Sequence, residues 1–180
     1  PHVSSTVERV NGFLDGLKDN GRKYSILKSY TAVEPVSGKK AAADIIRDFP
    51  SRGSIDVVFT VNDGGGLSVV QGLASAGRKE IMIATIDGDP ESIRNIKAGK
   101  LTVIDSAQFC GPLGAEAMKA AYEILTGGKP PYHSLVPVFP VTKETMKLYP
   151  GWNGPVPKSF IKPWKSRSPE WSGTMRIITQ

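Results

Sequence analysis

The sequence predicts an α/β fold with a doubly wound, mostly parallel sheet flanked by helices. Amphipathic helical segments alternate with short apolar runs, glycine or proline ends most of the helical segments, and polar residues directly follow several apolar runs. Parallel strands joined by right-handed crossover helices produce this rhythm. With 180 residues and 39% hydrophobic composition, the chain is long enough to bury one ordinary core.

The elements follow in order along the chain. The first helix can be capped by Ser4, Ser5 or Thr6 and ends near Asn20-Gly21, with apolar residues at helical spacing between them. The further predicted elements are a strand at 24–30, a helix at 37–49 ended by Pro50, a strand at 56–61, a helix at 64–76 closed by Gly77, a strand at 80–86, a helix at 90–98 closed by Gly99, a strand at 101–107, a helix at 111–126 closed by Gly127-Gly128, and a strand at 136–144.

The domain organisation follows from this order. Residues 1–145 form one α/β lobe, and residues 146–180 form a basic tail rich in proline and tryptophan. The chain begins with a helix, whereas a doubly wound sheet normally begins from a central strand. We therefore expect a strand upstream of residue 1 and interpret the chain as part of a longer protein.

Composition excludes several function classes. No run reaches the roughly 18 to 20 apolar residues that a membrane-spanning helix needs. His2 and His133 are far apart and Cys110 is the lone cysteine, so we expect neither a metal site nor a cofactor. The segment from Thr142 to Gln180 is basic, but its charges are scattered between prolines instead of sharing a helical face, so we expect no nucleic acid partner.

Polar residues at two predicted strand ends indicate a small-molecule site. The run VVFTV is followed by Asn62-Asp63, and the run IMIATI by Asp87-Gly88. Ligands of open parallel sheets bind in the crevice outside the carboxyl ends of the strands. Both motifs have plainer interpretations, because Asn and Asp cap helices and Asp-Gly-Asp-Pro is a common turn. We expect Asp63 to cap the following helix and to leave the Asn62 side chain free.

Three segments together resemble a known family. They are DVVFTVNDGGGLSVVQGLASAG, IMIATIDGDPESIRNIKAGKLT and GAEAMKAAYEILTGGKPP, and they are similar to the second lobe of type I periplasmic sugar-binding proteins of the ribose and galactose class. The resemblance covers about residues 3–145. It implies a two-lobed protein that closes on a ligand across a hinge, with the N-terminal lobe missing from this chain.

The resemblance also implies ligand-binding residues. Arg9 matches an arginine that donates to sugar hydroxyls, Asn62 a strand-end asparagine, and Asp87 an aspartate that accepts from paired hydroxyls. Gln108 matches a polar residue near the hinge. The stretch from Lys100 to Gln108 is one residue longer than expected, so Asp105 competes with Gln108 for this role.

The chain departs from the family in two places. Sugar binders commonly stack an aromatic ring on the sugar, but residues 33–36 contain no ring and Tyr30 is the nearest substitute, which favours a smaller or more polar polyol. The tail holds five prolines after residue 149 and all three tryptophans of the chain. Either it wraps around the lobe and buries its rings, or it forms a docking surface for the missing lobe or a second subunit.

The sequence therefore predicts a periplasmic solute-binding component of a bacterial ABC-type importer for a sugar or polyol, with a membrane permease as partner. The alternative is the effector-sensing half of a LacI-type regulator. We do not expect an enzyme. Gly64-Gly65-Gly66 matches neither nucleotide-binding glycine motif, and neither Ser106 nor Cys110 has a histidine nearby in sequence.

Overall fold

The computed structural model describes residues 3–179. The helices are α1 (Ser4–Asp19), α2 (Pro35–Asp48), α3 (Asp63–Ser75), α4 (Pro90–Ala98) and α5 (Cys110–Leu125). The strands are β1 (Val57–Phe59), β2 (Met82–Asp87), β3 (Thr102–Ala107), β4 (His133–Leu135), β5 (Phe139–Val141) and β6 (Arg176–Ile178). One turn of 3₁₀-helix spans Met146–Leu148.

The main sheet is mostly parallel and flanked by helices, as predicted. Its strand order is β1-β2-β3-β5, with the first three strands parallel and β5 antiparallel to β3. Strands β4 and β6 form a separate antiparallel pair. Because β1, β2 and β3 run in the same direction, their carboxyl ends lie along one edge of the sheet.

The predicted strand at 24–30 is wrong. This segment pairs with no described strand and is held by side chains instead, since Lys28 Nζ and the Tyr30 hydroxyl both donate to Asp48 Oδ2, at 2.6 and 2.8 Å. Ile26 and Leu27 remain more than half exposed. The β-type residues in this segment therefore reflect an extended chain lying on α2 and not a ladder of main-chain hydrogen bonds.

The start of α2 lies two residues earlier than predicted. Glu34 is the N-cap, and its carboxylate accepts from the main-chain N–H groups of Val36 and Ser37 while the Ser37 hydroxyl accepts from the Glu34 N–H. Pro35 occupies the first helical position, where its missing N–H costs nothing. This reciprocal capping box extends the helix toward its N-terminus. Carboxylate capping also lowers the pKa of Glu34.

The core consists of two apolar clusters. The first lies between α2, α3 and strand β2, and its buried side chains include Ile45, Leu73 and Ile83. The second joins α4, β3 and β5 through Ile96, Phe109, Phe139 and Val141, among others. Trp171, Phe160 and Tyr149 of the C-terminal segment pack against the second cluster. The Trp171 indole N–H also donates to the main-chain oxygen of Val138 at 2.7 Å.

A β-bulge accounts for the extra residue between Lys100 and Gln108. Ile83 pairs with Thr102, but the next residue, Ala84, pairs with Ile104, so Val103 has no opposite residue. Beyond the bulge the register is regular up to the pair Asp87 and Ala107. The bulge therefore absorbs one residue and places the end of β3 beside the end of β2. None of the described helices is both long and apolar enough to cross a membrane.

Candidate functional site

Polar side chains from α1 and from two strand ends converge at the carboxyl edge of the sheet. The Arg9 guanidinium lies 3.3 Å from Asp87 Oδ1 and donates to the Val61 main-chain oxygen at 2.7 Å. The Gln108 amide donates to the same Asp87 oxygen at 2.6 Å. The Asp63 main-chain N–H reaches Asp87 Oδ2 at 3.3 Å. We call Arg9, Asp87 and Gln108 the rim cluster.

The rim cluster is partly accessible to solvent. The side chains of Arg9 and Asp87 are each 25% exposed, and Gln108 is half-buried. A guanidinium, a carboxylate and an amide together supply donors and acceptors that match adjacent hydroxyl groups. In this structure the three groups satisfy one another, so a hydroxyl-bearing solute would replace contacts that already exist.

Asp87 has an unusual backbone conformation. Its φ of 131° lies in a region that side-chain-bearing residues rarely adopt. Its main-chain oxygen accepts from the Gln108 N–H at 3.0 Å and from the Trp152 indole N–H at 2.7 Å. Such strain persists only where the surroundings impose it, and it concentrates at functional sites.

The two candidates, Asp105 on β3 and Gln108 just after it, lie at different depths. Gln108 contacts Asp87 at the rim, whereas Asp105 is fully buried beneath the turn that follows β2. The Asp105 carboxylate accepts from the main-chain N–H of Gly88 at 2.9 Å. Gln108 therefore lies at the rim, and Asp105 supports the turn from below.

The prediction that Asp63 caps α3 and leaves the Asn62 side chain free is wrong. Asn62 is the N-cap of α3, since its side-chain oxygen accepts from the Gly65 N–H at 3.3 Å, and its amide donates to the Val33 oxygen at 2.9 Å. Asp63 is the first helical residue, and its carboxylate accepts from the Thr85 hydroxyl at 2.8 Å. The Asn62 side chain is thus brought beside the rim but is engaged, with one amide hydrogen and one lone pair left over.

The glycine run at the start of α3 is explained by close packing. A Cβ atom on Gly65 would overlap the Ala32 carbonyl group, and one on Gly66 would lie 2.6 Å from the Thr60 hydroxyl. A Cβ atom on Gly38 of α2 would overlap the Gly65 carbonyl oxygen. These glycines allow α3 to approach α2, the segment at Ala32 and the end of β1 closely. This close packing explains the glycine run without a bound phosphate.

Two side chains near the rim were not predicted from the sequence. The Trp152 indole N–H donates to the main-chain oxygen of Asp87, and the Tyr149 hydroxyl donates to the main-chain oxygen of Gln108 at 2.6 Å. The only sequence signal was the concentration of aromatic residues in a proline-rich segment. Tyr30, the substitute ring considered from the sequence, is instead bonded to Asp48. Burial and the Asp48 carboxylate raise the pKa of Tyr30 to about 12.

Neither His133 nor Cys110 forms a hydrogen bond with the rim cluster among the residues that the structure describes. His133 is exposed and contacts the Tyr132 ring edge to face, Cys110 is exposed at the start of α5, and His2 lies outside the described residues. Across residues 3–179, no three His, Cys, Asp or Glu side chains are grouped in a way that could hold a metal ion.

Comparisons with known proteins agree on one family. The sequence model described as "Periplasmic binding protein domain" matches residues 1–129. The ribose import binding protein RbsB of Salmonella typhimurium is 28% identical over 128 residues, which cover 71% of this chain and 41% of that protein. The chain therefore spans less than half the length of this curated relative.

Solved structures give the same result. An ABC transporter solute binding protein from Agrobacterium vitis with bound allitol matches with a TM-score of 0.70 and 27% identity, over 79% of this chain and 50% of that one. A Mycobacterium smegmatis protein in complex with β-D-fucofuranose matches with a TM-score of 0.67 and 26% identity, over 79% and 46%.

Proposed function

This chain belongs to the periplasmic binding protein domain family, and on that premise we propose that it is part of the solute-binding component of an ABC-type importer for a sugar or polyol. The observation that carries the proposal is the convergence of Arg9, Asp87 and Gln108 at the carboxyl ends of parallel strands. The site captures a solute without chemical conversion, so the protein is a binder and not an enzyme.

Each residue of the rim cluster has a distinct role in the proposed site. The Asp87 carboxylate accepts hydrogen bonds from two hydroxyls, because each of its oxygens has more than one lone-pair direction. The Arg9 guanidinium donates through its planar fork to one or two solute oxygens. The Gln108 amide orients Asp87 and donates its second hydrogen to the solute. Asn62 offers the solute the one amide hydrogen and the one oxygen lone pair that its contacts with Val33 and Gly65 leave unused.

The ligand class is a polyol or a small sugar. Two relatives of more than 25% identity were solved with allitol and with β-D-fucofuranose, which are both rich in hydroxyl groups and small. Residues 33–36 contain no aromatic ring. The half-buried Trp152 ring contacts the rim through its indole N–H, which donates to the main-chain oxygen of Asp87. A site built mainly from polar side chains favours a solute whose faces are all polar.

The remaining parts of the proposal follow from the family. Lobe closure requires a second lobe, which would supply the other half of the hydrogen bonds and exclude water from the site. A single lobe should therefore bind weakly, with a dissociation constant of about 1 mM or more. The complete protein would present its solute to a membrane permease from the periplasm.

A thermal-shift panel on the full-length protein tests the proposal. D-ribose, D-allose and allitol should raise the melting temperature of the wild-type protein, because a ligand that binds only the folded state stabilises it. The same solutes should not shift the Asp87→Ala variant. Stabilisation of the wild-type protein by ATP together with no response to any sugar or polyol would refute the proposal.

A further inference from the structure

Two buried carboxyl groups lie beneath the turn that follows β2. Asp63 is 3% exposed and Asp105 is 0% exposed. Asp63 accepts hydrogen bonds from the Thr85 hydroxyl and from the main-chain N–H of Asp89, both at 2.8 Å. Asp105 Oδ1 accepts from the main-chain N–H of Gly88 at 2.9 Å. The two acids therefore hold two consecutive amides of the turn.

One oxygen of this acid pair has no donor. Asp105 Oδ2 is buried and has no hydrogen-bond partner within residues 3–179, whereas both oxygens of Asp63 already accept. The two carboxyl groups lie close together, because they hold consecutive amides of one turn and because Asp63 accepts from Thr85, the residue that pairs with Asp105 across the sheet. Two buried carboxylates side by side disfavour double ionisation, because desolvation and mutual repulsion act in the same direction. A proton shared with Asp63 satisfies Asp105 Oδ2, and the Ser92 hydroxyl, which is also buried without a partner among residues 3–179, can hydrogen-bond the same carboxyl group.

We propose that Asp63 and Asp105 are positioning residues that share one proton and thereby fix the Asp87–Asp89 turn in the conformation that binds ligand. The inference rests on the proposed function, since it concerns how the rim of that site is held. The Asp63 N–H also donates to Asp87 Oδ2 at 3.3 Å, so the pair is connected directly to the carboxylate at the rim.

The polar and charged groups around the pair act on its protonation in both directions. The charge of Asp87 at the end of β2 raises the pKa of Asp63, whereas the main-chain N–H of Asp89 lowers it. A hydrogen bond with Ser92 on α4 lowers the pKa of Asp105, and Tyr149, after the 3₁₀ turn, lies near enough for both acids to raise its pKa. Arg9 pairs with Asp87 and with neither buried acid. Burial, followed by the charge of Asp63, raises the pKa of Asp105 to about 8. Burial also raises the pKa of Asp63, against the hydrogen bonds it accepts.

The proposal predicts a fall in affinity at alkaline pH. Below about pH 8 the pair carries one negative charge and the turn is held. Above that pH the second carboxyl ionises, and repulsion between the acids disturbs the amides of Gly88 and Asp89. Affinity for allitol or D-ribose should then fall by up to about tenfold for each pH unit above the pKa.

The Asp105→Asn variant isolates the proton. Asparagine keeps an oxygen for the Gly88 N–H and an N–H group for Asp63, so it imitates the protonated acid at every pH. Calorimetric titration of the full-length protein with allitol and with D-ribose should show an alkaline loss of affinity in the wild-type protein and none in this variant. The exposed Asp56→Asn variant removes one carboxylate elsewhere and should behave as the wild-type protein does.

Nuclear magnetic resonance of the unliganded full-length protein provides a readout that needs no ligand. The Asp105 side-chain carboxyl carbon should titrate near pH 8, and the amide resonances of Gly88 and Asp89 should move with the same midpoint. Titration of Asp105 near the ordinary value of about 4 would overturn the proposal, as would Gly88 and Asp89 amides that do not follow it. If neither solute binds at any pH, the proposed function fails while this titration still decides the proton sharing.

Discussion

The indole N–H of Trp152 donates a 2.7 Å hydrogen bond to the main-chain oxygen of Asp87, across 65 residues of sequence. The bond joins the C-terminal segment to the residue at the centre of the rim cluster. The main-chain oxygen of Trp152 in turn accepts from the Gly111 N–H at 2.9 Å. The tryptophan therefore bridges the end of β2 and the start of α5, and it helps to hold Asp87 at its positive φ.

Replacing Trp152 by phenylalanine should weaken both folding and binding. The ring stays but the donor is lost, which leaves the Asp87 oxygen with one partner fewer and should cost about 1 kcal/mol of unfolding free energy. Affinity for allitol should fall severalfold, because Asp87 is less firmly held. Chemical denaturation and calorimetric titration measure the two effects. Trp164→Phe is the control, since the Trp164 ring contacts Phe160 away from the rim, and equal losses in both variants would contradict this role for Trp152.

Replacing Asp87 by asparagine should reduce affinity and leave folding nearly intact. Hydrogen bonds that involve a charged group contribute about 1.5 to 3 kcal/mol, so we expect the dissociation constant for a bound polyol to rise by about tenfold or more. The unfolding free energy should change by less than about 1 kcal/mol because Asp87 remains partly exposed. Asp89→Asn is the matched control, since asparagine caps α4 as well as aspartate does. Unchanged affinity in the Asp87 variant would remove that residue from the site.

Replacing Gly88 by alanine should disturb the turn by crowding. Gly88 has a φ of 80°, and a Cβ atom there would lie 2.5 Å from the Ala107 Cβ and 2.9 Å from the Tyr149 hydroxyl. Gly53 has a similar φ of 76° but no atom near its Cβ position. Gly53→Ala therefore measures the conformational cost alone, about 1 kcal/mol, and Gly88→Ala should destabilise the protein by clearly more in urea unfolding. Equal costs would show that the turn has room for a methyl group.

The stability of the protein should depend on the protonation of Asp105. Its pKa is about 8 in the folded state and about 4 in an unfolded chain, so the folded state holds the extra proton between these values. The contribution of this group is fully present below about pH 4 and is lost as the pH rises to about 8. Asp105→Asn should therefore raise the unfolding free energy near pH 8 by more than about 1 kcal/mol relative to wild type. If the substitution leaves the unfolding free energy near pH 8 unchanged or lowers it, this role of the Asp105 proton is contradicted.

Local patterns predicted most of the α/β elements. Helical spacing gave α1, and Pro90 and Gly99 bracketed α4 correctly. These features are encoded by neighbouring residues, so a single sequence reveals them. The strand at 24–30 failed because a strand also needs a partner, and partnership is a property of the whole fold.

The site was predictable in part for the same reason. Asp87 follows an apolar run directly, so parallel topology predicts its place at the edge of the sheet, whereas the roles of Arg9 and Gln108 were implied by the resemblance to the family. The sequence could not predict whether Asn62 or Asp63 caps α3, because both residue types favour the N-cap position. In the structure Asn62 is the cap, and the Asp63 carboxylate accepts from Thr85 on the neighbouring strand instead. Trp152 had no local signal, since its partner lies on a different element.

The most direct test of the binding site is chemical-shift mapping of the full-length protein during titration with allitol. If the rim cluster binds the solute, the Arg9 guanidinium N–H and Gln108 side-chain amide resonances should shift together with the backbone amides of residues 62, 63, 87 and 88, with one common saturation curve. Shifts confined to other parts of the molecule, or saturable binding that leaves these resonances unmoved, would contradict it.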